Sequence, residues 1–134
     1  MSTQRLTYVC KIKNHEQVAV ALDQMGLACS KLWNVALHYS RECWEQTGKV
    51  PSAYDIQKVV QDHFWFRQLP THTAQAVTQE LWQAYKSWFG HRRSGNPKAR
   101  PPKYRKRNGQ VSPSTITFKR SGFRLERTTL RLSR

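Results

Sequence analysis

The chain has 134 residues, of which 23 are Lys or Arg and only 8 are Asp or Glu, giving a net charge of +15. This length fits one domain or part of a larger one, and the sequence contains neither an apolar run of transmembrane length nor a predicted signal peptide. An odd number of cysteines (Cys10, Cys29 and Cys43) fits a reduced, cytoplasmic protein better than a disulfide scaffold.

The positive charge is concentrated in the last third of the chain. Residues 1–90 contain nine Lys/Arg against seven Asp/Glu, whereas residues 91–134 contain fourteen against one. Such a surface binds polyanions, because the release of counterions from phosphates offsets the cost of concentrating charge. A solvated basic tail is the alternative, but Tyr104 and strand-like sequence with further arginines accompany the basic run. The charge distribution therefore predicts nucleic-acid binding.

A strand and a long helical region are predicted first in chain order. Residues 6–13 alternate apolar with polar or basic side chains, the period of a half-buried strand. Residues 15–47 then carry two apolar stripes at helical spacing, and Gly26 between them indicates a bend or a helix junction. Gly48 is placed as a helix stop.

Two more helices are predicted in the middle of the chain. Ser52 is the N-cap of the first, with Asp55 as its capping-box partner, and this helix runs to about His63. Thr71 is predicted to cap a longer helix that ends within residues 90–93. The face of the longer helix predicted to enter the core consists of Ala74, Val77, Leu81, Ala84, Tyr85 and Trp88.

A change to strand-like sequence follows a Pro-rich and Gly-rich basic linker. Residues 114–120 and 123–126 are predicted to pair as a hairpin around a Ser121-Gly122 turn, and residues 130–132 begin a third strand. These strands need partners beyond a single hairpin, since an isolated hairpin is marginal in water. The order of elements predicts an α+β fold.

The sequence argues against catalysis by this chain alone. Its eight acidic residues do not form the set of carboxylates that a two-metal nuclease uses, and its His and Cys residues show no metal-ligand spacing. We therefore expect no enzyme activity, no metal and no cofactor in this chain. Most of its Trp and Phe residues have helical spacing and are predicted to be core. Tyr54, behind a helix N-cap, and Tyr104, inside the basic run, are candidates for stacking on a base.

The order of the segments resembles a known family. An opening strand is followed by CSKLWNVALHYSRECWEQTG, then SAYDIQKVVQDHFWFRQLPTHTAQAVTQELWQAYKSWFGHRR, SGNPKARPPKYRKR and SPSTITFKRSGFRLERTTLRLS. The chain is similar, over essentially its whole length, to the N-terminal part of TnpB (OrfB), the transposon-encoded RNA-guided endonucleases related to compact type V CRISPR effectors. The family's Gly-x-Pro-x-Phe-Lys-type segment reads ARPPKYR here, so Tyr104 keeps the aromatic character but the glycine is replaced.

The resemblance implies a helical recognition lobe inserted between strands of an incomplete OB-like wedge β-barrel. Residues 1–14 would be a wedge strand, 15–93 the lobe of about four helices, 94–110 a basic linker and 111–134 a wedge hairpin. The family's RuvC nuclease domain and zinc ribbon lie beyond this sequence, so Mg²⁺ is expected only in that absent RuvC domain. The chain would then be one part of a truncated or split system, and cleavage would need a separate RuvC-containing polypeptide.

The resemblance also implies partners and binding residues. The partners are a guide-type noncoding RNA and target DNA, with no membrane, in a cytoplasmic and nucleoid-associated location, and base pairing supplies most of the sequence specificity. The implied nucleic-acid-binding residues are Arg92, Arg93, Lys98, Arg100, Lys103, Tyr104, Arg105, Lys106, Arg107, Lys119 and Arg120. The residues implied to read the target-adjacent motif are Tyr54, Gln57, Lys58, Thr71, Gln75 and Lys119.

Two other functions stay open from the sequence. A stand-alone DNA-binding transcriptional regulator would use the helical half, although such proteins usually carry their basic residues on a recognition helix. A ribosome-associated structural protein fits the charge but not the aromatic-rich helices.

Overall fold

A computed structural model describes residues 10–106, 110–111, 113–119, 123–126 and 129–132. Within these ranges the chain forms four helices followed by a two-stranded antiparallel sheet, an α+β arrangement that is mostly helical. The helices are α1 (His15–Thr47), α2 (Ala53–Val60), α3 (Phe64–Arg67) and α4 (Thr71–Arg93), and the strands are β1 (Phe123–Glu126) and β2 (Thr129–Leu132).

Helix α1 is continuous through Gly26, so the two apolar stripes belong to one helix of 33 residues. The helix ends where predicted: Gly48 adopts the left-handed conformation (φ 72°), and its N–H donates to the Trp44 carbonyl at 2.8 Å. Gly26 marks neither a junction nor a helix end. It is buried because residues 113–114 cross α1 at this point, and the Ser114 N–H donates to the Gly26 carbonyl at 3.0 Å.

The caps of the middle helices agree only in part with the predictions. The Ser52 hydroxyl accepts from the Asp55 N–H at 3.3 Å and donates to the Asp55 carboxylate at 3.0 Å, which confirms the N-cap of α2. Helix α2 ends at Val60, before the predicted His63, because His63 instead caps the short helix α3. The predicted Thr71 cap is wrong: Thr71 is the first residue of α4, and Pro70 occupies the cap position with no side-chain hydrogen bond.

Helices α1 and α4 run in the same direction and form the core together with α2 and α3, each of which packs against both long helices. Arg105 contacts both Trp33 of α1 and Glu80 of α4, and further along the two helices Trp44 lies near Trp88. Residue numbers therefore increase in the same direction along α1 and α4. The predicted face of α4 is largely confirmed, because most of its side chains are buried. The fully buried large side chains of the helical core include Leu32, Leu37, Ile56 and Leu81, each contributing about 2 kcal/mol by leaving water.

The hairpin forms one segment later than predicted. Strand β1 pairs with β2 in the register Phe123↔Leu132 and Leu125↔Leu130, so residues 130–132 are part of the hairpin itself. Residues 113–119 form no strand and bond to the helices instead: the Ser114 N–H donates to the Gly26 carbonyl of α1, and the Thr117 hydroxyl donates to Glu80 of α4. The predicted Ser121-Gly122 turn lies outside the described residues.

The N-terminal segment and the hairpin both line an apolar groove. Residues 10–13 form no strand, and residues 6–9 of the predicted strand lie outside the described part. The groove has a volume of about 430 Å³ and is lined by Ile12, Leu22, Ile116, Phe118, Phe123, Leu130 and Leu132. No helix in the described ranges is long and apolar enough to cross a membrane.

Candidate nucleic-acid interface

The basic linker is fixed along α1 by hydrogen bonds to its backbone. We call residues 97–106 the strap. The Trp33 indole N–H donates to the Lys103 carbonyl at 2.8 Å. The Asn34 side-chain amide pairs with Arg105 in both directions, accepting from its backbone N–H at 2.7 Å and donating to its carbonyl at 3.3 Å. These bonds satisfy backbone N–H and C=O groups of Lys103 and Arg105, so this part of the strap is held without regular secondary structure.

Tyr104 lies against α1 rather than standing free in solvent. The Arg41 guanidinium lies 4.6 Å from the centre of its ring and donates to the Pro102 carbonyl at 3.2 Å. The Tyr104 hydroxyl is 3.4 Å from Nδ1 of His38. Arg41 therefore covers part of the half-buried Tyr104 ring, and a base that stacks on that face would have to displace Arg41.

Arg105 is turned inward, unlike its neighbours in the strap. Its guanidinium pairs with the Glu80 carboxylate at 3.3 Å, donates to the Ser114 hydroxyl at 3.1 Å and lies 3.9 Å from the centre of the Trp33 ring. Glu80 also accepts from the Thr117 hydroxyl at 3.2 Å. The pair thus joins the strap, residues 114–117 and α4, which makes Arg105 a positioning residue in this structure.

The other predicted cations of the strap are exposed. Lys98, Arg100, Lys103 and Lys106 are all exposed, and the Arg100 guanidinium donates to the Pro97 and Ala99 carbonyls at 3.3 and 3.0 Å. None of the three ion pairs among the described residues includes any of these four side chains. The strap therefore presents a row of exposed cations, of which Lys103 and Lys106 lie at or next to the residues bonded to α1. Such a row suits the spaced charges of a phosphate backbone.

The remaining predicted cations are distributed differently. Lys119 donates to the Gln79 side chain at 2.6 Å, on the N-terminal half of α4. Arg92 and Arg93 are exposed on the last turn of α4. Arg107 and Arg120 lie outside the described residues.

The residues predicted to read a target-adjacent motif form two groups. Tyr54, Gln57 and Lys58 share α2, where Tyr54 is 69% exposed and the Lys58 ammonium lies 6.0 Å from the centre of its ring. Thr71 and Gln75 are on the first turns of α4, on the same helix as the Gln79 partner of Lys119. The described interactions do not link the two groups.

The end of α4 is fixed by a Schellman motif. Gly95 adopts the left-handed conformation (φ 78°), the Asn96 N–H donates to the His91 carbonyl at 3.0 Å, and the Gly95 N–H donates to the Arg92 carbonyl at 3.0 Å. Arg92 lies over the Trp88 ring, with its guanidinium carbon 5.0 Å from the ring centre. The basic residues also suit the partial negative charge at this helix end.

Burial rather than charge dominates the shifted ionisations of the core. Burial raises the pKa of the Cys29 thiol to about 11, with Arg105 lowering it and Glu80 raising it by smaller amounts. Burial also raises the pKa of Tyr85. These groups are protonated at neutral pH. No group of three or more His, Cys, Asp or Glu side chains in the described ranges is placed to hold a metal ion.

Sequence reasoning missed the residues that fix the strap. Trp33, Asn34 and Glu80 lie on helices, and their partners are about 25 to 70 positions away in the chain. The charge on Glu80 and the amide on Asn34 are ordinary features of a helix surface in the sequence. Only the path of the strap between the two helices gives them a role.

Comparisons with family models, with curated proteins and with solved structures find nothing that matches this chain.

Proposed function

We propose that this chain is the RNA- and DNA-binding module of a TnpB-like RNA-guided DNA-targeting system. Its role is to hold the scaffold of a guide RNA and the guide–target heteroduplex, and to help read the motif beside the target. The observation that carries the proposal is the row of exposed cations on a strap whose backbone is tied to α1. Fixed, unpaired cations bind phosphates at a smaller entropic cost than cations on a free tail.

The distribution of charge favours shape and backbone recognition over base reading by a helix. Exposed cations are concentrated on the strap and on the last turn of α4, and fourteen of the 23 Lys/Arg residues follow residue 90. A helix-turn-helix regulator would instead place such residues along the helix that enters the major groove. The DNA-binding regulator is therefore the second candidate, and the nucleic acid that co-purifies with the chain distinguishes the two.

The proposal includes an architecture finer than the α+β class. Strands β1 and β2 would belong to an incomplete OB-like wedge barrel, with α1–α4 as the inserted recognition lobe. The apolar groove supports this assignment, because Ile12 before α1 and the hairpin side chains Phe123 and Leu132 share one surface. On this proposal the chain has no enzyme activity of its own, and a separate RuvC-containing polypeptide with Mg²⁺ supplies cleavage. Its location would be cytoplasmic, and nucleoid-associated when bound to DNA.

The test is to purify the chain from a prokaryotic host that also carries its native flanking DNA, and to sequence the bound nucleic acid. A single structured noncoding RNA supports the proposal. Duplex DNA favours the regulator, ribosomal RNA favours a ribosome-associated protein, and bulk RNA without enrichment overturns the guide-RNA assignment.

A charge-matched pair of variants tests the role of the strap. The first replaces Lys98, Arg100, Lys103 and Lys106 by Gln, and the control replaces the exposed lysines Lys11, Lys13, Lys49 and Lys86 by Gln. Both lose four positive charges. The slope of log K against log salt for RNA binding should fall by about three for the strap variant and by less than about one for the control. Equal changes in the two variants would show that only net charge matters.

A further inference from the structure

Aromatic side chains reach the surface where α1 and α4 end. Trp44 lies 6.1 Å from Trp88 and 6.1 Å from Phe89, measured between ring centres, and Trp88 and Phe89 are 5.2 Å apart. Tyr85 closes the inner side of the cluster and is only 3% exposed. In contrast, Trp44 is 38% exposed, and Trp88 and Phe89 are partly exposed. Core packing accounts for the inner ring but leaves the outer rings in contact with water.

Two arginines flank these outer rings on the last turn of α4. Phe89, Arg92 and Arg93 line an open cleft of about 530 Å³, which we call the terminal cleft. The two arginines are three and four residues after Phe89, so the three side chains share one side of the helix. None of the ion pairs among the described residues includes Arg92 or Arg93. Their charges are therefore available to an anion in the cleft.

We propose that the terminal cleft binds one unpaired nucleotide, with its base against the ring of Phe89 and its phosphate on Arg92 and Arg93. A flat apolar ring beside a guanidinium matches a nucleotide, which has a π-face and a negative charge a few ångströms apart. A paired base has both faces covered by its neighbours, so the cleft should select single-stranded over duplex nucleic acid.

This inference rests on the proposed nucleic-acid function and adds a single-strand contact to it. The strap cations recognise phosphates and are indifferent to whether bases are paired. The terminal cleft would supply that distinction. The Schellman motif that ends α4 holds the Arg92 backbone in place before the nucleotide arrives, which reduces the cost of ordering the site.

The test compares Phe89→Leu with Phe64→Leu in the full chain. The first change keeps an apolar side chain but removes the stacking ring from the cleft. Phe64 is a matched control because it is 60% exposed and also pairs with a tryptophan. That neighbour, Trp65, contacts Lys31 on α1, thirteen residues or about 20 Å along the helix from Trp44. Binding is measured by fluorescence anisotropy with a labelled oligouridine, an oligothymidine and a mixed-sequence RNA duplex.

We expect Phe89→Leu to weaken binding of the single strands about tenfold while leaving duplex binding unchanged. Phe64→Leu should change neither. Equal losses for oligouridine and oligothymidine would place the contact on base and phosphate, and a loss confined to oligouridine would add the 2′-hydroxyl to the contact. If duplex and single strand weaken together, or if both variants behave alike, the terminal cleft is not a nucleotide site.

Two further measurements keep the result independent of folding. Arg93→Gln changes an exposed side chain and should lower the salt slope for single strands by about one, without loss of thermal stability. Photocrosslinking with a 4-thiouridine oligonucleotide should modify the peptide that contains Trp88 and Phe89, and crosslinks confined to other peptides would overturn the assignment. Normal salt-dependent binding with unaltered Phe89→Leu affinity would refute the cleft and leave the proposed function standing, whereas no binding to any probe would refute both.

Discussion

Replacing Gly26 by Ala tests the central feature of the tertiary structure, the crossing of α1 by residues 113–114. A Cβ atom at Gly26 would lie 2.8 Å from the Ser114 carbonyl oxygen and 3.1 Å from Cβ of Pro113. Ordinary contacts begin at 3.4 Å, so the crossing segment would have to move by about 0.6 Å. That movement also weakens the bond from the Ser114 N–H to the Gly26 carbonyl.

The size of the effect follows from three terms. Overpacking costs about 1–3 kcal/mol, and the weakened backbone hydrogen bond costs about 1 kcal/mol. Ala gains about 1 kcal/mol over Gly inside a helix. The free energy of unfolding should therefore fall by about 1–3 kcal/mol. Gly90→Ala is the matched control, because Gly90 is also inside a helix and a Cβ atom added there would meet nothing within 4 Å; this variant should gain about 1 kcal/mol.

Urea unfolding followed by circular dichroism measures both variants, and hydrogen exchange reports the Ser114 amide directly. The expected result is opposite signs for the two glycines and faster exchange at Ser114 in Gly26→Ala. If Gly26→Ala gains stability as Gly90→Ala does, residues 113–114 do not cross α1 at Gly26.

Three further predictions concern the thiol, a buried hydroxyl and the hairpin. Burial raises the pKa of the Cys29 thiol from 9.0 to about 11, so the protonated thiol stabilises the fold fully below pH 9. As the pH rises from 9 to 11 the free energy of unfolding should fall by up to about 3 kcal/mol. Urea unfolding at a series of pH values should show a smaller fall for Cys29→Ala. Thr73→Val should stabilise the chain by about 1 kcal/mol in thermal unfolding, because the buried Thr73 hydroxyl has no hydrogen-bond partner among the described residues. Thr78→Val removes a hydroxyl that donates to the Gln75 carbonyl and should not stabilise the chain. Equal effects of the two changes would contradict this reasoning. The exposed side chain of Leu130 (53%) on β2 should promote self-association that Leu130→Lys reduces in sedimentation velocity, and a fully monomeric parent chain would contradict it.

Local patterns in the sequence determined most of the helical elements. The Ser52 cap, the Gly48 stop and the buried face of α4 were predictable, because each depends on residues within one or two turns of the same helix. The concentration of charge after residue 90 was equally visible, since it needs only counting. The Thr71 cap was predicted wrongly, because several backbone arrangements fit the same few residues around Pro70.

Only the tertiary structure decided which residues of the basic segment face outward. Arg105 and Lys103 are two positions apart and equally cationic in the sequence, yet Arg105 pairs with Glu80 whereas Lys103 is exposed. The strand-like residues 113–119 likewise bond to α1 and α4 instead of pairing as a hairpin. These outcomes depend on contacts between residues about 25 to 90 positions apart. A local sequence pattern carries no information about such contacts, because the two residues of each pair come within bonding distance only after the helices have packed together.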